Sequence, residues 1–156
     1  MKIKTILIAS MTVLFTVFLI NALSIFVMVD RMTLDGRVVN FSGIVRGATQ
    51  RLVKLELSGS RSDEIMARLD KIINGLIDGD DELNLPRAVD AKYISSLNDV
   101  KTRWESLRGN IIGMRQNPSL SSVVLRESEE YFEATDKMVL DAEIFSYTKV
   151  KQIKII

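Results

Sequence analysis

Between Lys4 and Asp30 the chain carries no charge, and residues 6–29 are apolar at all 24 positions except Ser10, Thr12, Thr16, Asn21 and Ser24. Roughly 20 apolar residues suffice to carry a helix across the hydrocarbon core of a bilayer, so this run constrains the fold before anything else does. The competing reading is a cleaved signal peptide, whose apolar region is typically about 7 to 15 residues long and ends at a small-x-small site. The run here is longer, and its end, Ile25-Phe26-Val27-Met28-Val29, offers no such site. A transmembrane signal anchor is therefore expected at residues 6–29. Lys2 and Lys4 put the N-terminus, residues 1–5, in the cytoplasm by the positive-inside rule. One pass through the inner (cytoplasmic) membrane would then place residues 30–148 outside the cytoplasm.

Charge follows the same division. Segment 30–148 holds all 20 acidic residues and 16 of the 21 basic ones, a net charge of −4, whereas the whole chain carries +1. Such a balance argues against nucleic-acid binding through bulk charge. With neither histidine nor cysteine, the chain cannot build a Ser-His-Asp triad, a thiolate nucleophile or an imidazole/thiolate zinc site. No carboxylate pair is marked out as a catalytic site; no enzymatic activity, cofactor or metal is expected. Asp78, Asp80, Asp81 and Glu82 lack the alternating ligand spacing and closing glutamate of a calcium loop, and read as a solvated turn. Glu127, Glu129, Glu130 and Glu133 read as the wet face of a helix.

After the apolar run, apolar or small residues recur in steps of three and four at Leu34, Val38, Phe41, Val45, Ala48, Leu52 and Leu55, which predicts a helix with a packed seam, continuous with the anchor. Ser58-Gly59-Ser60 ends it. Ser60 or Ser62 can cap a second helix with Ile65, Leu69, Ile72 and Leu76 as its seam and Asp78-Gly79 as its stop. Asp90 caps a third, carrying Ile94, Leu97, Val100, Trp104, Leu107, Ile111 and Met114, which Asn117-Pro118 breaks. A last helix starts near Ser119, with Val124, Tyr131, Met138, Ala142 and Phe145 on one stripe. Trp104 and Tyr131 lie at seam positions and read as core. Four such seams with short connections predict an all-α domain, an antiparallel four-helix bundle, over residues 30–148. Residues 149–156 form a basic and apolar juxtamembrane tail, readable either as the threshold of a second, truncated span or as a frayed end.

The first helix carries a second face. At about 100° per residue, Val39, Gly43, Arg46, Gly47, Gln50 and Lys54 fall opposite its seam. Glycine costs roughly 1 kcal/mol against alanine inside a helix, so Gly43 and Gly47 ask for a reason, and close approach of a second helix is a physical one. In a two-fold dimer packed on this face, Arg46 of both copies would converge beside Gln50, and two guanidiniums repel unless an anion lies between them. Arginine's planar fork suits an oxyanion, and the Gln50 amide adds a donor. The plainer alternative is a solvated basic stripe of Arg46, Arg51 and Lys54.

Residues 39–51, Val-Asn-Phe-Ser-Gly-Ile-Val-Arg-Gly-Ala-Thr-Gln-Arg, resemble the first-helix motif of the sensor domains of nitrate/nitrite sensor histidine kinases and type IV pili methyl-accepting chemotaxis transducers. The resemblance places Asn40, Ser42, Gly43, Arg46 and Arg51 at the motif positions, and implies a periplasmic four-helix bundle with Arg46 of both protomers as the anion contact. Gly47 and Ala48 stand where the nitrate sensors have larger residues, which leaves the ligand's identity open. The expectation is a membrane-anchored sensory input domain, a homodimer through its first helix, that binds a small ligand of the oxyanion class, such as nitrate or nitrite, and signals by helix displacement to a cytoplasmic output domain or partner. The alternative is a membrane-anchored dimerisation or protein-interaction bundle with no small ligand.

Overall fold

The computed structural model describes residues 2–153, and among them it is all-α, with no β-strand. Four α-helices follow one another: α1 (Lys2–Leu57), α2 (Asp63–Asp78), α3 (Ala91–Met114) and α4 (Ser121–Ile153), with a 3-10 turn at Pro118–Leu120. The chain divides into two compact units between Thr33 and Leu34, and α1 contributes to both. In the first unit, α1 is long and apolar enough to cross a membrane, and Ile6, Phe15, Phe18 and Phe26 are exposed. Its polar interruptions are satisfied along the helix: Thr12, Thr16 and Ser24 donate to carbonyls one turn back at 2.8–2.9 Å, which removes the cost of carrying a hydroxyl through an apolar medium.

In the second unit the predicted breaks fall where the chemistry puts them. The Asp90 carboxylate accepts from the Tyr93 amide at 2.8 Å and opens α3. Pro118 cannot continue α3, and Asn117 accepts from the Ser119 amide at 3.2 Å as the chain turns into α4. Gly79 stops α2 at a φ of +88°, and a Cβ there would lie 3.1 Å from the Arg87 amide nitrogen, so only glycine fits. Ser62 occupies the N-cap of α2, but its side chain makes no capping bond; its amide instead donates to Glu56 at 2.9 Å. The acidic turn is local: Asp80 accepts from the Leu83 amide at 2.8 Å and Glu82 pairs with Lys71. α4 continues as helix past the expected boundary at Lys149 to Ile153; the end of the predicted tail, residues 154–156, lies outside the described residues, as does residue 1.

Side-chain bonds give the helix directions. Trp104 and Arg108 of α3 both reach Asp70 of α2. Ser96 reaches Asp141 while Asn110 reaches Glu127, so α3 and α4 run antiparallel. Ser42 meets Tyr93 and Arg115 meets Glu56, so α1 and α3 run parallel. Leu69, Ile72 and Leu76, with Leu97, Val100, Trp104, Leu107 and Ile111, are fully buried as their seams require, and Trp104 packs on Tyr131 with ring centroids 6.1 Å apart.

The centre of α1 differs from the apolar seam. Val38, Val45 and Leu52 are buried as expected, but Leu34, Phe41, Ala48 and Leu55 are only half-buried. Their neighbours Asp35, Ser42, Thr49 and Glu56 take the interior instead, one every seven residues. Along one heptad position α1 thus buries only polar side chains. Ser42 shares a hydrogen bond with the Tyr93 hydroxyl at 2.9 Å, Thr49 donates to the Val45 carbonyl at 2.9 Å, and Glu56 takes two bonds from Arg115. Polar residues at core heptad positions fix register while costing stability. α4 answers with buried Ser128, Thr135 and Asp141. Among the described residues the buried hydroxyl of Tyr131 has no partner at hydrogen-bond geometry.

Candidate functional site

The face of α1 beside its buried positions, on the side toward α4, carries Val39, Gly43, Arg46, Gly47, Gln50 and Lys54, all half-buried or exposed. Arg46 forms an ion pair with Asp136 of α4, and its guanidinium carbon lies 5.9 Å from the centroid of the Phe132 ring, in cation–π range. Phe132 and Asp136 are one turn apart on α4, so the same helix face offers the ring and the carboxylate together. Gln50 donates its amide to the Ser128 carbonyl of α4 at 3.4 Å. The Arg46 side chain is 36% exposed and that of Asp136 61%, which leaves the pair open to competition by a dissolved anion.

Gly43 and Gly47 flank Arg46, and nothing within 4 Å would meet a Cβ at either. Their small size is therefore not required by packing within this chain. Two glycines that each sacrifice helix stability without an internal neighbour leave a flat strip of backbone beside a charged fork. The homodimer expected from the sequence would use this strip. Replacing both, Gly43→Leu with Gly47→Leu, is expected to leave the helical content intact while weakening self-association, read by analytical ultracentrifugation in detergent; an unchanged monomer–dimer equilibrium would place the interface elsewhere.

The remaining motif residues divide. Ser42 points inward and is fully buried against Tyr93, whose phenol is pushed up to about 12 by burial despite the Ser42 hydrogen bond. Arg51 is five residues beyond Arg46, about 140° further round the helix, and lines a different hollow with residues of α2. Asn40 is exposed. The structure thus assembles Arg46, Gln50, Gly43 and Gly47 on one face, while Ser42 and Arg51 lie elsewhere. Sequence reasoning missed Asp136 and Phe132. Their signal was present: Leu125, Phe132 and Leu140 are exposed apolar residues at near-heptad spacing outside the α4 seam, a second face that the single-stripe reading passed over. Glu56, near the end of the same helix, is buried against Arg115.

Among the described residues no group of three or more acidic side chains is gathered to hold a metal ion. No family model, curated protein or solved structure matches this chain.

Proposed function

We propose that residues 6–29 anchor the chain in the inner (cytoplasmic) membrane and that the four helices form an antiparallel four-helix bundle outside the cytoplasm, acting as the sensory input domain of a receptor. The ligand is a small oxyanion of the nitrate or nitrite type, held between Arg46 residues of two copies, with Gln50 adding a donor and Gly43 and Gly47 letting the two α1 helices approach. The resemblance of residues 39–51 to the sensor-domain motif supports this reading. The observation that carries it is the Arg46–Asp136 pair: the candidate anion-binding arginine is held by a carboxylate on α4.

That pair supplies a mechanism. An anion that takes the Arg46 fork displaces Asp136 and removes a tie between α1 and α4, so ligand binding and the relative position of the two helices become linked equilibria. Displacement of α1 against α4 is a shift of the kind that switches helical receptors, and the output lies in a cytoplasmic domain or partner protein. Exposed ion pairs are worth roughly 0.2–1 kcal/mol, so removing the internal competitor should tighten anion binding by up to about fivefold. Calorimetric titration of the full chain in nanodiscs with nitrate and nitrite tests this by comparing wild type with Asp136→Asn. Tighter binding in the variant supports competition. Equal affinities would remove the linkage, and no heat from either protein with any anion would remove the ligand site.

A specific observation favours the second reading, a membrane-anchored dimerisation or interaction bundle without a ligand. Leu125, Phe132 and Leu140 give α4 an exposed apolar stripe that a second helix can cover. In that case Arg46 closes the α1–α4 seam, and the same titration gives no binding.

A further inference from the structure

A second concentration of arginine lies at the end of the helical unit where α1 turns into α2. Arg51 from the last turns of α1, Arg61 from the connection and Arg68 from the second turn of α2 line one hollow of about 430 Å³, together with Leu55, Asp63 and Glu64. Small-molecule sites occupy roughly 300–1,000 Å³. None of the three arginines forms an ion pair or side-chain hydrogen bond among the described residues, in contrast to Arg46, Arg103, Arg108, Arg115 and Arg126, which all do.

The acids at this end explain why. Asp63 is taken by Arg115 at 2.7 Å, and Arg115 also holds Glu56 at 2.7 Å. Those two carboxylates are thus committed to Arg115, which faces an adjoining hollow that shares Arg61 with the first. Glu64 makes no ion pair among the described residues, and counted together Arg51, Arg61, Arg68 and Arg115 face Glu56, Asp63 and Glu64, an excess of one positive charge. Three like charges around one concavity raise each other's energy unless an anion enters, and arginine forks match the paired oxygens of carboxylate and phosphate groups.

We propose that this hollow is a second ligand site, for a small molecule bearing two or more anionic oxygen groups, a polycarboxylate or polyphosphate, contacted by Arg51, Arg61 and Arg68. It is independent of the Arg46 face, because it draws on a different side of α1 and on α2 and the connecting turn. Ligand there joins α1 to α2, where the Ser62 side chain makes no capping bond, and so tightens the turn between them.

Citrate and inorganic pyrophosphate are the probes, titrated calorimetrically into the full chain in nanodiscs of zwitterionic lipid. At least one should bind wild type, weaken at least tenfold in Arg61→Ala with Arg68→Ala, remain unchanged in Arg46→Ala, and tighten in Glu64→Gln. Trp104 fluorescence checks that each variant is folded, and the Glu64→Gln arm decides the matter if the double variant is not. Absence of binding by both probes, binding indifferent to all of these substitutions, or binding lost only in Arg46→Ala would each overturn the proposal.

Discussion

Glu56→Ala should cost the helical unit about 3 kcal/mol, at the lower end of what removing one partner of a buried ion pair costs. The Glu56 side chain is 1% exposed and accepts from Arg115 at 2.7 and 2.9 Å and from the Ser62 amide at 2.9 Å. Alanine leaves that amide and part of the Arg115 fork without an acceptor, and an unmet buried donor costs more than the bond itself contributed. Arg115 remains 15% exposed and keeps Asp63, which is why the lower end applies. Replacing both partners, Glu56→Met with Arg115→Met, should recover much of the loss, because an apolar pair avoids the desolvation penalty. An exposed pair such as Lys71–Glu82 serves as the control, with a change below about 1 kcal/mol on Glu82→Ala. Urea unfolding followed by the emission of Trp104, the sole tryptophan and a buried one, measures all four proteins.

The same pair sets an acid limit. Burial pushes the Glu56 carboxyl up, but the hydrogen bonds from Arg115 and the Ser62 amide and the Arg115 charge outweigh it, so its pKa lies below the ordinary 4.5. A carboxylate whose folded pKa is lowered contributes its full stability above the unfolded value and loses it as pH falls through the folded one. Asp141 behaves alike: burial raises it, and Lys92 and Ser96 bring it below 3.8. Stability should therefore hold down to about pH 4.5 and fall below it, and the Glu56→Met with Arg115→Met protein should lose less over that acid range than wild type.

The helices were legible in the sequence because their signals are local. Asp90, Gly79 and Asn117-Pro118 act within a few residues of themselves, and seams in steps of three and four need only one helix to be read. The interior of α1 was half legible for a related reason. Hydrophobic periodicity finds Val38, Val45 and Leu52, but it assigns Asp35, Ser42, Thr49 and Glu56 to solvent, and the partners that receive Ser42 and Glu56, Tyr93 and Arg115, lie tens of residues away. The strict spacing of seven was visible; its meaning required the partners. Likewise the Arg46 face emerged from the helix wheel, because glycines and arginine four and three residues apart share a side. Asp136, 90 residues beyond Arg46, carried no mark distinguishing it from its acidic neighbours on α4 until the fold brought the two together.

Arg46→Ala should abolish oxyanion binding. Each hydrogen bond to a charged partner is worth roughly 1.5–3 kcal/mol, and a two-fold site loses both guanidiniums at once, so affinity should fall more than a hundredfold. Arg46→Lys keeps the charge but loses the planar fork, and should retain only part of the binding; a protein that merely needed positive charge on a solvated stripe would not distinguish the two. Titration of nitrate and nitrite into the full chain in nanodiscs, run side by side on wild type, Arg46→Lys and Arg46→Ala, is the most direct test of a sensory role for this face. The account predicts saturable binding that weakens in that order and vanishes in the last. Binding of equal strength in wild type and Arg46→Ala, or none in wild type, would contradict it.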